Sequence, residues 1–280
     1  MRKLVCIGLI FLASCTFFDN PDLVPMYFNF EEVNLETNAD QGVNSHNIKD
    51  VSVYADGFSI GVYNLPVSVP VLNTDESLKL DVLAVVRNNG IASNPIEYPF
   101  YKSLAYEFDF EAGQSMDLPL TFEYAEQAKI INVADFEVSN TLTVDIDGDS
   151  DIDFIRSSDT PYGSFAGKIT TTADSPIFVK SSFNRINRED VLNGPVFLEL
   201  DYRNTIDFNV GIVRYEPGNF EVPFFIVGLV EQEEWNKVYI ELTPYLGDDI
   251  IEEFTIMIGS SPQDTSLGTV EIDNVRLVHF

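Results

Sequence analysis

Five aspartates occupy alternate positions around one glycine in the stretch VDIDGDSDIDFI: Asp145, Asp147, Asp149, Asp151 and Asp153. Clustered carboxylates are the chemistry of a calcium loop, in which hard oxygen donors surround a hard cation. An EF-hand needs acids at loop positions 1, 3 and 5, glycine at 6 and glutamate at 12. Counted from Asp145 those last two positions hold Ser150 and Arg156, and counted from Asp147 they hold Ile152 and Ser158, so the run is no EF-hand. Leu142, Val144 and Ile146 alternate into Ile152 and Phe154, which predicts a hairpin with Asp147-Gly148-Asp149-Ser150 as its turn. Asp145, Asp151 and Asp153 would then face water. Carboxylates this dense repel one another and a bound cation would relieve them, so calcium is a second reading of the same residues.

Other reactive side chains are scarce. The chain has two histidines, His46 in a polar loop and His279 as the penultimate residue, which leaves little to build a Ser-His-Asp triad from. Two cysteines, Cys6 and Cys15, cannot make a zinc cluster. No glycine loop of phosphate-cradling spacing occurs. A carboxylate pair for glycoside hydrolysis stays open among 45 acidic residues, as does an esterase, but so acidic a composition supplies spare carboxylates regardless. The expectation is a non-enzyme.

Sixteen basic residues against those 45 acids give a formal net charge of −29. Such a surface repels phosphate backbones, so nucleic acid is not expected as a partner; divalent cations, basic partners or neutral sugars suit it better. The first residues carry a basic head, Arg2-Lys3, then an uncharged run from Leu4 to Ser14, shorter than the roughly 20 residues a membrane span needs. The end of that run, Leu12-Ala13-Ser14-Cys15, resembles the lipobox of bacterial lipoproteins. The resemblance implies cleavage before Cys15 and acylation of its thiol, which anchors the protein to the outer membrane on its periplasmic or cell-surface face.

The elements that must position any site are strands. After a signal segment (1–14) and a tether (15–28), period-two alternation recurs at Val51/Val53, Phe58/Ile60/Val62, Val67/Val69/Val71, Leu78/Leu80/Val82, Tyr106/Phe108/Phe110 and Leu118/Leu120/Phe122. Turn residues such as Asp56-Gly57 and Asn89-Gly90 separate the runs. This predicts an immunoglobulin-like antiparallel sandwich over 29–127. Pro66 and Pro70 cannot donate ladder bonds and place the 67–71 strand at an edge. A second set, including Val196/Leu198/Leu200, Phe208/Val210/Ile212 and Phe254/Ile256/Ile258, predicts a jelly roll over 128–280. The fold class expected is therefore all-β.

Several motifs in 130–280, in order, resemble carbohydrate-binding, galactose-binding-like jelly-roll modules: Asp135-Phe136-Glu137, Gly163-Ser164-Phe165-Ala166-Gly167-Lys168, Val196 to Arg203, Glu234-Trp235-Asn236-Lys237-Val238-Tyr239-Ile240 and Glu271 to Leu277. The resemblance implies a structural calcium where the first and last strands meet, with Asp135, Glu137 and Asp273 as ligands. It also implies glycan binding by loop aromatics, for which Tyr215, Phe220 and Tyr245 are the candidates. Trp235 begins an alternating strand and is expected to pack beneath a sheet. Gly61 to Pro66 and Tyr98-Pro99-Phe100-Tyr101 resemble sandwich domains in lipoproteins of Bacteroidota-type bacteria, implying a spacer or docking module. Two functions follow as expectations: a non-catalytic, membrane-anchored lipoprotein whose jelly roll binds polysaccharide or a surface partner, or a structural accessory subunit of an outer-membrane secretion, gliding or protein-assembly complex, with an outer-membrane protein as its partner.

Overall fold

The computed structural model describes residues 23–148, 152–260 and 267–280. Cys15, Asp149 and Asp151 lie outside the described residues. Ten strands build the first half: β1 (Met26–Phe30), β2 (Val33–Glu36), β3 (Asp50–Ala55), β4 (Phe58–Asn64), β5 (Val67–Val71), β6 (Ser77–Arg87), β7 (Pro95–Glu97), β8 (Leu104–Asp109), β9 (Ser115–Asp117) and β10 (Leu120–Glu123). One layer runs β4-β3-β6, with β7 and β8 both on the far side of β6; against it lie the small sheets β5-β1-β9 and β10-β2. Their facing residues, among them Phe28, Phe30, Val53, Val69, Leu80 and Phe122, form one buried cluster. Asp56 (φ 49°) and Gly57 (φ 80°) make the tight turn between β3 and β4. As the prolines require, β5 pairs only with β1 among the described residues.

Two features depart from expectation. The tether ends early, because β1 begins at Met26, which is 1% exposed. The sandwich is also not wholly antiparallel: β1 pairs parallel with β9, and β2 parallel with β10.

The second half contains β11 (Lys129–Ala134), β12 (Val144–Asp145), β13 (Ile155–Ser157), β14 (Ala166–Thr170), β15 (Val179–Ser181), β16 (Ile186–Asn187), the short helix α1 (Arg188–Val191), β17 (Phe197–Asn204), β18 (Phe208–Glu216), β19 (Phe220–Leu229), β20 (Gln232–Glu241), β21 (Glu253–Ser260) and β22 (Thr269–His279). Two six-stranded sheets enclose its core: β13-β14-β22-β17-β20 with β11 on β22, and β12-β15-β21-β18-β19 with β16 on β21. Leu198, Leu200, Val210, Ile212, Ile256 and Ile272 meet between them, each fully buried. The architecture is an all-β pair of sandwiches, the second of jelly-roll form.

The aspartate run is not a hairpin. β12 pairs with β15 in one sheet and β13 with β14 in the other, so the segment crosses between sheets instead of folding back on itself. Leu142 and Phe154 anchor its two ends in the main core, while Ile146 packs on the outer face of the second sheet. Alternation continued on both sides of the run because each flank belongs to a strand, though not to the same sheet.

The two sandwiches share a core. Phe197, Tyr239 and Val278 project from the outer face of the β22-β17-β20 sheet into the first domain's cluster. Tyr98 of the first domain stacks edge-on against Phe197 and Tyr239, with ring centroids 5.4 and 4.9 Å away. Burying each such side chain contributes about 1.5–3 kcal/mol, so this junction stabilises both halves. The loop after β6 also caps the free edge of β20: the Asn89 amide donates to the Tyr239 carbonyl at 2.8 Å.

Candidate functional site

Alternation on three neighbouring strands decides what the outer face of the first sheet presents. β17 turns Leu198, Leu200 and Tyr202 to the core, so Phe197, Glu199, Asp201 and Arg203 face outward. On β22 the left-handed residue Asn274 (φ 50°) inserts an extra position. Glu271 and Asp273 before it and Arg276 and Val278 after it therefore all face outward, opposite Arg203, Asp201, Glu199 and Phe197 respectively. β20 adds Trp235, Lys237 and Tyr239. The face thus runs in tiers, from apolar residues beneath the first domain, through a charged belt, to an open row.

The belt is buried by the first domain. Lys237 Nζ lies 2.7 Å from Glu199 Oε2, with side chains 1% and 0% exposed. The Tyr98 and Tyr124 hydroxyls donate to the two Glu199 oxygens at 2.5 and 2.7 Å. Ser45 Oγ and Asn274 Nδ2 both donate to Asp201 Oδ2, at 2.7 and 3.0 Å. Arg276 donates to the Gln41 carbonyl at 2.7 Å. Burial pushes the Glu199 carboxyl up, but the Lys237 ammonium and the tyrosine hydroxyls outweigh it and hold it below the usual carboxylate value. Asp201 goes the other way: burial dominates and raises it.

Beyond the belt the face opens to solvent. Lys168, Glu271 and Arg203 stand side by side on β14, β22 and β17, with Lys168 Nζ 3.1 Å from Glu271 Oε1 and Arg203 Nε donating to Glu271 Oε2. Arg203 Nη2 reaches Asp159 at 2.5 Å, and its guanidinium carbon lies 5.4 Å from the Trp235 ring centroid. Tyr162 meets the same indole edge-on at 5.7 Å. Burial, with Asp201 and Asp273 nearby, pushes the Tyr162 phenol up to about 12, so it stays a neutral donor at any physiological pH. Arg203 also lines a groove of about 290 Å³, with Asn204, Thr205, Gln232, Glu233, Thr269 and Glu271. Trp235 is half-buried on the outer face and does not sit beneath the sheet as its place in an alternating strand suggested. The signal that could have found this site is the polar half of the alternation on β17 and β22, which marks a face and not merely a solvated surface.

The carboxylates expected to hold calcium do gather. Asp135, Glu137 and Asp273 line one cavity of about 210 Å³ between the sandwiches, with Tyr162, Asn274 and Arg276. Their oxygens are already engaged. Asp135 accepts from Asn132 Nδ2 at 2.5 Å and from the Glu137 amide at 3.1 Å, and Glu137 Oε1 accepts the amides of Ser164 and Phe165 at 2.7 and 3.1 Å. Asp273 accepts from the Asn274 amide at 2.7 Å and Thr160 Oγ1 at 3.2 Å, and burial raises its carboxyl to about 7. Among the described residues no group of three or more His, Cys, Asp or Glu side chains is arranged to hold a metal ion.

In the aspartate run a cation is already present. Lys180, 1% exposed, sends its ammonium to Asp145 at 3.2 Å and Asp153 at 3.1 Å, closing the crossover with an internal ion pair. The Asp147 side chain also takes part in an interaction.

The three loop aromatics do not form one platform. Tyr215 is 5% exposed, and the Arg185 guanidinium lies 3.5 Å over its ring, so its face is closed to a sugar. Tyr245 packs against the main core and against Phe224 at 5.6 Å, on the opposite face of the sheet from Tyr215. Phe220 is 65% exposed at the tip of the β18–β19 hairpin. Of the two histidines, His46 accepts weakly from the Ile48 amide at 3.5 Å, and His279 Nδ1 lies 2.8 Å from the Phe280 carbonyl oxygen. Burial lowers the pKa of both.

Comparison with known proteins adds the following. No protein-family model matches the chain, and no curated protein does. Among solved structures it is similar to a family 30 carbohydrate-binding module (13% identity, TM-score 0.43, covering 54% of this chain and 99% of that one). It is also similar to a family 11 carbohydrate-binding module of a cellulosomal cellulase of Clostridium thermocellum (12% identity, TM-score 0.40, covering 56% and 96%). A third similarity is to a structure described for carbohydrate-binding modules of the β-sandwich superfamily (11% identity, TM-score 0.38, covering 80% and 83%).

Proposed function

We propose that the protein is a non-catalytic lipoprotein, anchored in the outer membrane through Cys15, that holds a glycan in the groove beside Trp235. One observation carries this reading: the chain's only tryptophan, partly buried on the outer face, lies against Tyr162 and Arg203, and Arg203 in turn lines a groove whose lining is entirely polar. An aromatic face for a pyranose ring with convergent hydrogen-bonding groups is what recognition of a sugar requires. Nothing in this reading needs a metal or a catalytic acid–base pair.

Affinity electrophoresis of residues 23–280 through gels containing polysaccharides tests it. Retardation by at least one polysaccharide, abolished in Trp235→Ala, is the expected result. No retardation by any, with calcium present, would overturn the glycan reading. Cys15→Ala should move the protein from the membrane to the soluble fraction.

A second reading, an accessory subunit of an outer-membrane secretion, gliding or protein-assembly complex, is favoured by β4. Among the described residues this strand pairs only with β3, and it exposes Phe58 (77%) and Val62 (54%). A stoichiometric outer-membrane protein co-purifying with the parent and lost in Phe58→Ser/Val62→Ser would support it.

A further inference from the structure

Resting on the lipid-anchored and glycan readings above, we propose that the first sandwich is a rigid spacer standing end-on to the membrane. The groove then meets glycan chains that lie beyond the bilayer, and not the sugar headgroups of lipids within it. Strand direction carries this.

The chain enters the first sandwich at one end. Met26 pairs with Val71, the Pro25 carbonyl accepts the Gly113 amide at 3.0 Å, and the Phe110 amide donates to the Glu76 carbonyl at 2.8 Å, so the 72–76 and 111–114 turns flank the entry. β6 starts beside them, with Ser77 opposite Asp109, and runs 11 residues to the other end. At about 3.3 Å per residue the two ends lie about 33 Å apart.

The junction with the second sandwich is built from that other end. Ser45 and Asn47 precede β3, whose first residue pairs with Val85; Asn88 and Asn89 follow β6, Tyr98 follows β7 and Tyr124 follows β10. Asn47 Nδ2 donates to the Lys237 carbonyl and Asn88 Nδ2 to Glu241 Oε2, both at 2.9 Å, beside the bonds of Ser45, Tyr98 and Tyr124 to the buried belt. β10 ends at Glu123 and β11 begins at Lys129, and Ala128 and Ile130 already pack against the first domain's cluster. The connection is therefore packed core and not a linker, and the two sandwiches move as one body. The groove belongs to the second sandwich, so the whole spacer separates it from the anchor.

The anchor restrains the entry end alone. Leu23 lies eight residues after Cys15, a reach of about 29 Å at full extension, which is less than the spacer itself. A body of formal net charge −29 is repelled by anionic headgroups along its whole length. Because the tether holds one end, that repulsion turns the free end outward. The entry end carries exposed acids of its own, Asp75, Glu76 and Glu111, so it is a foot kept near the surface by the tether and not an adhesive patch.

Trp235, the chain's only tryptophan, reports the orientation. The acylated protein is reconstituted in vesicles of equimolar phosphatidylcholine and phosphatidylglycerol carrying a dansyl headgroup probe. Energy transfer from Trp235 should be severalfold weaker than from a tryptophan at the entry end, in Leu72→Trp/Trp235→Phe; Leu23→Trp/Trp235→Phe is a second reporter there. Equal transfer from Trp235 and from the entry-end tryptophans would overturn the inference, because the protein would then lie on its side. In a second arm, one oligosaccharide cut from a polysaccharide that retards the protein is offered free in solution, or coupled directly to phosphatidylethanolamine in the protein's own vesicles. Trp235 emission should respond to the free form. A response to the lipid-linked form without vesicle clustering, followed by light scattering, would overturn the inference; a response with clustering is binding between vesicles and supports it. Protein that fails to partition into vesicles would overturn the lipoprotein reading and the spacer with it. No response to either sugar would instead overturn the glycan reading, while the transfer ratio, which needs no sugar, still decides the orientation.

Discussion

Replacing Glu199 by leucine strands the Lys237 ammonium between the two sandwiches. In the parent that ammonium lies 2.7 Å from Glu199, both side chains being almost completely buried, and it also donates to Ser45 Oγ at 3.4 Å. The Tyr98 and Tyr124 hydroxyls lose their acceptor in the same step. Removing one partner of a buried pair costs about 3–5 kcal/mol. The two orphaned hydroxyls fall within that total, because the four groups act as one network. Lys237→Met leaves a buried carboxylate that keeps two tyrosine donors, so its cost should be smaller, about 2–3 kcal/mol. Together the substitutions remove both charges and leave apolar groups in an apolar junction. The double variant should be more stable than the sum of the singles by about 2 kcal/mol or more, within the range seen for residues in contact. Urea unfolding followed by fluorescence gives all three values, with Trp235, two positions from Lys237, as the reporter. Costs that add to within about 0.5 kcal/mol would refute the reasoning, because independent sites add to that tolerance.

Other outcomes follow from the same geometry. Glu199 is held low when folded, so its contribution is present above the unfolded value of about 4.3 and lost as pH falls through the folded one; the Glu199→Gln penalty should therefore shrink in acid. Asp273, raised to about 7, keeps a proton in the folded state that the unfolded chain releases near pH 4, so stability falls as pH rises between those values. Asp273→Asn should then stabilise the protein by about 2–3 kcal/mol more at pH 8 than at pH 5; a loss of stability on that substitution in millimolar calcium would show that the ion binds there after all. Lys180→Met should cost about 1–2 kcal/mol at low salt and less in 1 M NaCl, since Asp153 is well exposed; equal stability at both salts would show that the crossover does not depend on its ion pairs. Residues 128–280 alone should aggregate or fail to unfold cooperatively, because Phe197, Tyr239, Val278 and the charged belt lose their cover; a soluble, cooperatively unfolding fragment would contradict the shared core.

Strands were legible in this sequence because period-two alternation reports a buried face directly. Val51/Val53 became β3, Leu78/Leu80/Val82 became β6, and Pro66 with Pro70 marked the edge strand β5. What alternation cannot report is a second burial on the opposite face. Glu199, Asp201, Lys237 and Asp273 fall on the polar phase of their strands, which ordinarily faces water. Here another sandwich covers that phase, and the covering residues, Ser45, Tyr98 and Tyr124, lie about 75–190 residues away along the chain. The same limit hid the groove: Trp235 reads as a core residue from its strand, and only the neighbouring Arg203 and Tyr162 show which face it occupies. The aspartate run misled for a related reason. Local pattern fixes that both flanks are strands, and the pairing partner, β15 or β14, is decided by distant sequence.

Trp235, as the chain's only tryptophan, makes the central claim directly measurable. Fluorescence titration of residues 23–280 with a neutral polysaccharide that retards the protein should give a saturable change in intensity and emission maximum, at the same midpoint as calorimetric binding. Arg203→Ala, which removes the cation from the indole and frees Glu271, should weaken that midpoint at least tenfold. Binding that saturates by calorimetry while the Trp235 emission stays unchanged would place the glycan elsewhere and contradict the account.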